Sequence, residues 1–250
     1  MKPRYDALLF DLFDTLVHFD ISVLPLERFG GDFWKAILSV SHEAIRCRHP
    51  ELEFEDYCRA AREVQEEMER FASETQREMT ADERFRRVAR RLGISEGTGG
   101  NGAVEAALTA HFQMILDGVI QPEDYRDFLR RAAAKTPLGV ISNYDHSPNA
   151  IQILEKFGIR PLFSSLIISA DVGWRKPNAR IFERALADLN VSPDRVLFVG
   201  DSPDADIEGA RRLGIAAVWV KRPGRRWPEG LAAPTITVER ITELEELLGG

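Results

Sequence analysis

Five short apolar runs rich in β-branched and aromatic residues recur along the chain, and four of them lie in its second half. They occupy residues 7–11, 138–142, 165–169, 196–200 and 216–220. In the second half, helical patterns alternate with these runs, which is typical of a parallel sheet covered by helices. Gly-Ile steps at 158–159 and 214–215 favour a helix end before a strand, because glycine readily adopts the left-handed conformation. The sequence therefore predicts an α/β fold with a doubly wound parallel sheet.

A long segment separates the first apolar run from the second. Residues 17–124 are rich in Glu, Arg, Ala and Leu. Apolar residues recur there at helical spacing, most clearly over 32–45, 54–71 and 82–92. We expect this segment to form an inserted helical cap domain, and residues 1–16 and 125–250 to form the core. A glycine-rich stretch at 93–102 has no preceding strand and no following Lys-Ser/Thr pair, which predicts a connection between helices rather than a phosphate-binding loop.

The charge and the cysteine content exclude several classes of partner. The 250 residues carry a formal net charge of −7, whereas nucleic-acid binding needs concentrated Lys and Arg. The densest basic stretch, 221–227, is predicted to be a solvated loop. No apolar run approaches the roughly 20 residues of a membrane span. The two cysteines have no metal-ligand spacing, and the sequence shows no secretory signal, which predicts a cytoplasmic protein. Together with the charge and the apolar runs, this predicts neither nucleic-acid nor membrane partners.

Polar residues follow the predicted strands, at the edge where doubly wound sheets bind ligands. Asp11 ends the first run, and Ser142 with Asn143 ends the second. Asp201 follows the fourth run, while Lys176 lies at the start of a helix. A carboxylate, a hydroxyl-amide pair, a lysine and a second acidic cluster can supply attack, oxygen binding, charge neutralisation and metal anchorage. Together they meet the needs of phosphoryl transfer.

The order and spacing of these residues resemble the haloacid dehalogenase superfamily of aspartate-nucleophile hydrolases. The resemblance rests on four motifs, FDLFDTL, VISNYD, RKPNARIFERAL and VGDSPDADIEGARRLG. It extends over the whole predicted core, and the long insert after the first motif resembles the helical C1-type cap of that superfamily. The resemblance therefore implies a hydrolase with a Rossmann-like core and an inserted cap.

The resemblance also implies a role for each site residue. Asp11 would be the nucleophile that forms an aspartyl-phosphate intermediate, while Ser142 and the Asn143 backbone would hold the oxygens of the transferred group. Thr15 would contact the substrate, and Lys176 would neutralise charge on the nucleophile and the phosphate. The implied cofactor is Mg²⁺. Its ligands would be the carboxylates of Asp11 and Asp201 and the main-chain carbonyl of Phe13, while Asp206 would orient this metal site.

Phe13 departs from the phosphatases of the superfamily, which usually have Asp two residues after the nucleophile. That Asp protonates the leaving oxygen and then activates water, and a phenyl ring can do neither. General acid-base assistance is worth about 10²- to 10⁴-fold, so we expect slow turnover of substrates with poor leaving groups. The adjacent Asp14 is expected to point away from Asp11, and its role as a substitute acid is a further hypothesis.

Four functions are open at this point. The preferred one is a Mg²⁺-dependent hydrolase of a phosphorylated small molecule, because Asp201 and Asp206 would crowd negative charge around Asp11 without a cation. The second is a metal-independent 2-haloacid dehalogenase, since those enzymes also have an aromatic residue two places after the nucleophile. They have a Ser-Ser-Asn-like sequence, however, where this chain has Gly-Asp-Ser at 200–202. A phosphonate hydrolase would need Lys35 as a Schiff-base lysine. The fourth is a catalytically weak interaction protein on the same scaffold. The sequence does not distinguish a monomer from a homodimer.

Overall fold

The computed structural model describes residues 5–94 and 101–248. Its strands are β1 (Ala7–Phe10), β2 (His18–Phe19), β3 (Val119–Ile120), β4 (Leu138–Ser142), β5 (Phe163–Ile168), β6 (Val196–Gly200), β7 (Ala216–Val220) and β8 (Ile236–Val238). Its α-helices are α1 (Phe33–Arg46), α2 (Phe54–Thr75), α3 (Ala81–Arg91), α4 (Asn101–Gly118), α5 (Glu123–Ala133), α6 (Ser147–Lys156), α7 (Ser169–Val172), α8 (Ala179–Leu189) and α9 (Gly209–Arg212). A π-helix covers Pro203–Glu208, and 3₁₀ turns cover Ile21–Val23, Leu26–Phe29, Arg160–Leu162, Pro193–Arg195 and Ile241–Leu248. Residues 95–100 of the predicted glycine-rich connection lie outside the described residues.

Six strands form one parallel sheet in the order β5-β4-β1-β6-β7-β8. At the centre, Phe10 of β1 pairs with Val140 of β4 on one side and with Val199 of β6 on the other. The chain adds strands first on one side of β1 and then on the other, which is the doubly wound arrangement. The predicted α/β fold with a Rossmann-like core is confirmed. The topology also brings the carboxyl ends of β1, β4 and β6 side by side.

The central strands are buried on both faces, which explains why they are almost continuously apolar. Helix α8 packs on this sheet with a stripe of buried residues at helical spacing, Ile181, Phe182, Ala185 and Leu186. The Phe182 ring meets Phe198 of β6 edge to face, with centroids 5.3 Å apart. Burying one such aromatic side chain stabilises the fold by roughly 1.5–3 kcal/mol, so this packing holds the strand ends in register.

The chain divides into two compact units. The first contains the six-stranded sheet and comprises residues 1–18, 76–78 and 120–250. The second comprises residues 19–75 and 79–119 and contains helices α1 to α4. It has a core of its own, in which the buried residues include Ile45, Tyr57, Val64, Phe85, Val88 and Ala107. Segment 76–78 therefore belongs to the first unit, although it lies between two helices of the second in the sequence. Over the described ranges, no helix has both the length and the apolar character of a membrane span.

Candidate active site

Asp11 directly follows β1, the strand at the centre of the sheet. Its backbone N–H donates to the carbonyl of Val199 at 2.9 Å, which continues the pairing with β6 by one residue. Its side chain is only 10% exposed. The sheet therefore fixes the backbone of Asp11 and presents a largely buried carboxylate at the strand end.

The chain after Asp11 closes a tight loop. The N–H groups of Leu16 and Val17 both donate to the carbonyl of Leu12, at 2.9 and 3.1 Å. Asp14 has a φ of 59°, in the left-handed region that Asp tolerates better than most residues. Thr15, which the sequence predicted to contact the substrate, is fully buried. Its Oγ1 has no hydrogen-bond partner among the residues that the structure describes.

Lys176 lies at the centre of the site. Its Nζ donates to Asp11 Oδ1 at 2.5 Å and to the Ile141 carbonyl at 2.8 Å, and forms an ion pair with Asp206 Oδ1 at 2.7 Å. The first two contacts are hydrogen bonds, whereas the third is an ion pair in which Asp206 Oδ1 has no hydrogen-bond partner among the described residues. Burial favours the neutral amine, but the charges of Asp11 and Asp206 outweigh it and raise the pKa of Lys176. The lysine therefore remains charged and holds the two carboxylates together.

The turn after β4 holds the backbone of that lysine. Ser142 is buried at the strand end, as predicted from the sequence. The Asn143 side chain donates through Nδ2 to the Lys176 carbonyl at 2.9 Å and accepts the Lys176 N–H at 2.7 Å through Oδ1. This contact of the Asn143 side chain with the lysine backbone was not predicted from the sequence. The side-chain amide thus forms hydrogen bonds with both main-chain polar groups of the lysine, and these bonds fix the backbone from which its Nζ extends.

Three carboxylates form an acidic cluster: Asp11, Asp201 and Asp206 each place an oxygen within 4.8 Å of the others. Asp206 lies in the π-helix after β6, and its Oδ2 accepts the Ser202 N–H at 2.9 Å. A β-carbon at Gly200 would overlap the Asp206 carboxylate, so only glycine allows this close approach. Gly200 therefore allows the Asp206 carboxylate to lie directly against the end of β6.

The electrostatics of the cluster follow from burial and like charge. Burial raises the pKa of Asp201 to about 7, and the negative charges of Asp11 and Asp206 add to the effect. Burial also raises the pKa of Asp11 to about 6, although Lys176 opposes the increase. One ammonium group therefore does not compensate three carboxylates.

The donor set fits a hard divalent cation such as Mg²⁺, which prefers oxygen ligands and tolerates several waters. Asp11 and Asp201 have carboxylate oxygens that would serve as ligands. Asp206 Oδ1 forms an ion pair with Lys176 without a hydrogen bond, and Oδ2 accepts the Ser202 N–H. Asp206 would therefore orient the cluster from beside a bound cation.

Phe13 and Asp14 point to different partners. The Phe13 ring packs against Tyr144 with centroids 4.9 Å apart and an interplanar angle of 55°. Asp14 forms an ion pair with Arg222 at 3.0 Å and approaches His18 at 3.5 Å. The hydrogen bond to His18, helped by the charge of Arg222, lowers the pKa of Asp14 below its ordinary value. Asp14 therefore stays ionised at neutral pH and is poorly suited to replace a general acid.

Lys35, the residue that a phosphonate hydrolase would need, belongs to the second unit. Its Nζ pairs with Glu55 at 2.7 Å, and this hydrogen bond raises its pKa. With Trp34, Tyr57 and other residues of the same unit it lines a cavity of about 260 Å³. A Schiff-base lysine needs a lowered pKa, so the environment of Lys35 gives that function no support.

Three further residues near the site were not predicted from the sequence. The stretch 221–227 is a largely exposed loop, as predicted, but its Arg222 also pairs with Asp14. Arg222 lies two residues after β7, so the strand-end rule applied to that strand identifies it. Tyr144 packs on Phe13, and the Trp219 Nε1 donates to the Asp201 carbonyl at 2.8 Å. Such contacts between distant segments leave no local sequence pattern.

The site thus joins an aspartate at the end of the central strand, a buried lysine and two further carboxylates at one edge of the sheet. The chain belongs to the haloacid dehalogenase-like hydrolases, whose family model matches residues 5–214. It is 35% identical to the pyrimidine 5′-nucleotidase YjjG of Escherichia coli over 166 residues, which cover 66% of this chain and 69% of that protein. It is 29% identical to an (S)-2-haloacid dehalogenase of Pseudomonas putida over 181 residues, or 72% and 75% of the two chains. A 2-haloacid dehalogenase from Pseudomonas syringae pv. Tomato has a similar fold, with a TM-score of 0.69, 23% identity and 98% coverage of both chains.

Proposed function

We propose that the protein is a Mg²⁺-dependent phosphatase that hydrolyses a phosphorylated small molecule through an aspartyl phosphate on Asp11. The observation that carries this proposal is the cluster of Asp11, Asp201 and Asp206 around one buried ammonium group. A metal-free site would leave this negative charge uncompensated, whereas a divalent cation and a phosphate ester together complete it. The nucleotidase name of one relative agrees with a phosphorylated substrate.

The first chemical step is attack on phosphorus. An oxygen of Asp11 forms a bond to phosphorus while the bond to the leaving oxygen breaks. Lys176 neutralises charge on the nucleophile and the phosphoryl oxygens, and Ser142 with the Asn143 N–H holds those oxygens. A Mg²⁺ ion, held by Asp11, Asp201 and the Phe13 carbonyl, would supply further charge neutralisation.

The second step is hydrolysis of the aspartyl phosphate by water, which releases phosphate and regenerates Asp11. Phe13 offers no proton acceptor for that water, just as it offers no proton to the leaving group in the first step. Both steps therefore lack the roughly 10²- to 10⁴-fold assistance of a general acid-base group. We expect the enzyme to favour leaving groups that depart as stable anions, and to accumulate phosphorylated Asp11.

The chain outside these residues supplies selectivity. We propose that the insert, 17–124, acts as a cap of the C1 type that excludes water and selects the substrate. We further propose that the enzyme works in the cytoplasm on a soluble small molecule, as a monomer or a homodimer.

A metal-independent 2-haloacid dehalogenase is the second candidate, because one observation favours it. Phe13 is aromatic and packs on Tyr144, and a halide ion leaves a carbon centre without needing a proton. The relative from Pseudomonas putida is named for this reaction. Asp201 and Asp206 weigh against it, since that chemistry requires no cation.

A substrate panel separates the two candidates. p-Nitrophenyl phosphate and a set of natural phosphate esters are assayed with Mg²⁺ and with EDTA, and 2-chloropropionate is assayed for halide release without metal. Mg²⁺-dependent release of p-nitrophenol supports the phosphatase. Halide release in EDTA, lost in Asp11→Asn, contradicts it and establishes the dehalogenase.

A further inference from the structure

Glu78 lies in the short segment between α2 and α3 that belongs to the first unit. Its N–H donates to the carbonyl of Gly173 at 3.2 Å. The N–H of Arg175 donates in turn to the carbonyl of Gln76 at 2.9 Å. The segment therefore pairs with the stretch of chain that immediately precedes Lys176.

Side chains reinforce this backbone pairing. Arg77 and Trp174 form an antiparallel bridge, and the Arg77 guanidinium lies 4.6 Å from the centre of the Trp174 ring. Arg180 lies at 4.4 Å from the same ring. The Asn178 amide donates to the Gln76 side-chain oxygen at 2.9 Å. These contacts tether the segment without any contribution from the Glu78 carboxylate.

The carboxylate of Glu78 makes a separate set of bonds. Its side chain is 1% exposed, and Arg175 Nη1 lies 2.7 Å from each of its oxygens. The Ser169 hydroxyl, at the start of α7, donates to the same carboxylate. Ser169 Oγ also accepts the N–H of Tyr144 at 2.8 Å. One buried carboxylate thus connects the residue before Lys176 with the residue after Asn143.

A buried carboxylate is costly unless its charge is paired and its oxygens are hydrogen-bonded. Tethering does not require it, because the backbone pairing and the Trp174 contacts already hold the segment. Its additional effect is geometric, since Ser169 fixes the turn that carries Ser142 and Asn143, and Asn143 in turn holds both main-chain polar groups of Lys176. The bonds of Glu78 therefore end on both loops that deliver the groups expected to stabilise the transition state.

We infer that Glu78 is a positioning residue for the catalytic centre, which acts through Ser169 and Arg175 on the loops that carry Ser142, Asn143 and Lys176. It does not touch the substrate. The expected effect on turnover rests on the proposed phosphatase function, whereas the effect on loop order does not. A residue of the short segment 76–78 thereby positions groups of the unit to which that segment belongs.

The kinetic test compares Glu78→Gln and Glu78→Ala with Glu74→Gln, which alters an exposed carboxylate at the end of α2. With p-nitrophenyl phosphate and Mg²⁺, we expect kcat to fall about 10- to 100-fold in both Glu78 variants, more in Ala than in Gln, because small misplacements of catalytic groups have effects of this size. KM should change by less than about threefold, since the groups displaced act on the transition state. Glu74→Gln should match the wild type. An unchanged kcat in Glu78→Ala overturns the inference.

A second measurement needs no activity. Amide hydrogen exchange is followed at Tyr144 and Lys176, whose N–H groups donate within the network, and at the β6 strand as a reference. We expect exchange at both amides to accelerate about tenfold or more in Glu78→Gln while β6 is unchanged, because only local opening is affected. Equal acceleration in β6 would mean general destabilisation and would overturn the positioning role. A wild-type protein without phosphatase activity would refute the proposed function alone, and the exchange data would still decide the role of Glu78.

Discussion

Each unit contains a lysine paired with a carboxylate, and the two pairs differ mainly in burial. In the first unit the Lys176 and Asp11 side chains are 2% and 10% exposed, and Asp206 makes a further ion pair with the lysine. In the second unit the Lys35 and Glu55 side chains are 32% and 73% exposed. Solvent screens the exposed pair, so it contributes little to stability. The same two functional groups therefore form a buried ion pair in one place and a surface contact in the other.

Burial also changes what removal of one partner does. A buried pair that loses one partner leaves an uncompensated charge, which is strongly destabilising, whereas water solvates the remaining partner of an exposed pair. In the first unit, burial and neighbouring negative charge raise the pKa values of Asp11 and Asp201, so their ionised forms are costly. In the second unit several ion pairs lie along helix surfaces, for example Arg87 with Glu83 four residues earlier. The buried cluster thus differs from an ordinary charged surface by the electrostatic cost of keeping its carboxylates ionised.

Replacing each lysine by methionine tests this difference most directly. Lys176→Met should lower phosphatase kcat by about 10²- to 10³-fold, because a group aimed at transition-state charge is lost. It should also lower the free energy of unfolding by about 3–5 kcal/mol in EDTA at pH 8, because Asp11 and Asp206 are left buried without their cation. Turnover of p-nitrophenyl phosphate and urea unfolding measure the two effects.

Lys35→Met is the matched control for that variant. Its kcat and its urea midpoint should equal those of the wild type, since the Lys35 pair is exposed and screened. Equal losses of stability in the two variants would show that burial does not distinguish the pairs.

The acidic cluster makes metal-free stability depend on pH. The pKa values of Asp201, about 7, and Asp11, about 6, are both raised above the ordinary value of 3.8. Between pH 4 and 7 the folded state therefore binds more protons than the unfolded state, and stability falls as pH rises through this window. The fall should reach about 2–4 kcal/mol in EDTA.

Mg²⁺ should remove most of that loss, because it binds the ionised carboxylates of the folded state only. Urea unfolding at a series of pH values, with EDTA and with excess Mg²⁺, measures both curves. Asp201→Asn should flatten the curve in EDTA. An Asp201→Asn curve in EDTA that runs parallel to the wild-type curve would mean that the cluster is not under electrostatic strain, because carboxyl groups with lowered pKa values, such as Asp14, contribute equally to both curves.

How much of this site the sequence predicts depends on whether the contacts follow a regular pattern. Asp11, Ser142 and Asp201 were predicted because parallel strands bring their carboxyl ends to one edge of the sheet. The strand predicted at 165–169 begins two residues too late and ends one residue too late, since β5 covers Phe163–Ile168 and Ser169 begins α7. The end of the strand matters, because Ser169 lies beyond the sheet and its hydroxyl accepts the Tyr144 N–H in the turn after β4.

Other contacts of the site could not be predicted because they join segments far apart in the chain. The Asn143 side chain meets the Lys176 backbone across 33 residues, and Glu78 meets Arg175 across 97. Glu78 also lies in a stretch whose composition matches the surrounding helices. Side-chain geometry of this kind depends on loop conformations, for which the hydrophobic pattern carries no information.

Phe13→Asp introduces a proton donor at the position where the resemblance to phosphatases of the superfamily predicts an acid. Because general acid-base assistance is worth about 10²- to 10⁴-fold when well placed, an unoptimised carboxyl should raise kcat for an alkyl phosphate about tenfold. For p-nitrophenyl phosphate, whose leaving group needs no proton, the gain should be smaller. Parallel assays of both esters measure the ratio.

The conservative variant Phe13→Leu serves as control, since it removes the contact with Tyr144 without adding a proton donor. An equal gain for both esters, or a gain in Phe13→Leu, would show that the packing of Phe13 rather than the missing proton limits turnover.

The smallest expected effect concerns the support of Asp201. Trp219 Nε1 donates to the Asp201 carbonyl at 2.8 Å, so Trp219→Phe removes this bond while keeping an aromatic ring in a buried place. The Asp201 loop should then bind Mg²⁺ about three- to tenfold more weakly, because one net hydrogen bond is worth about 1 kcal/mol. Isothermal titration with Mg²⁺ measures the affinity. Trp227→Phe is the control, since the Trp227 ring packs on Trp219 but its Nε1 donates to Leu231 instead. Equal weakening in both variants would assign the effect to aromatic packing and not to the bond that holds Asp201.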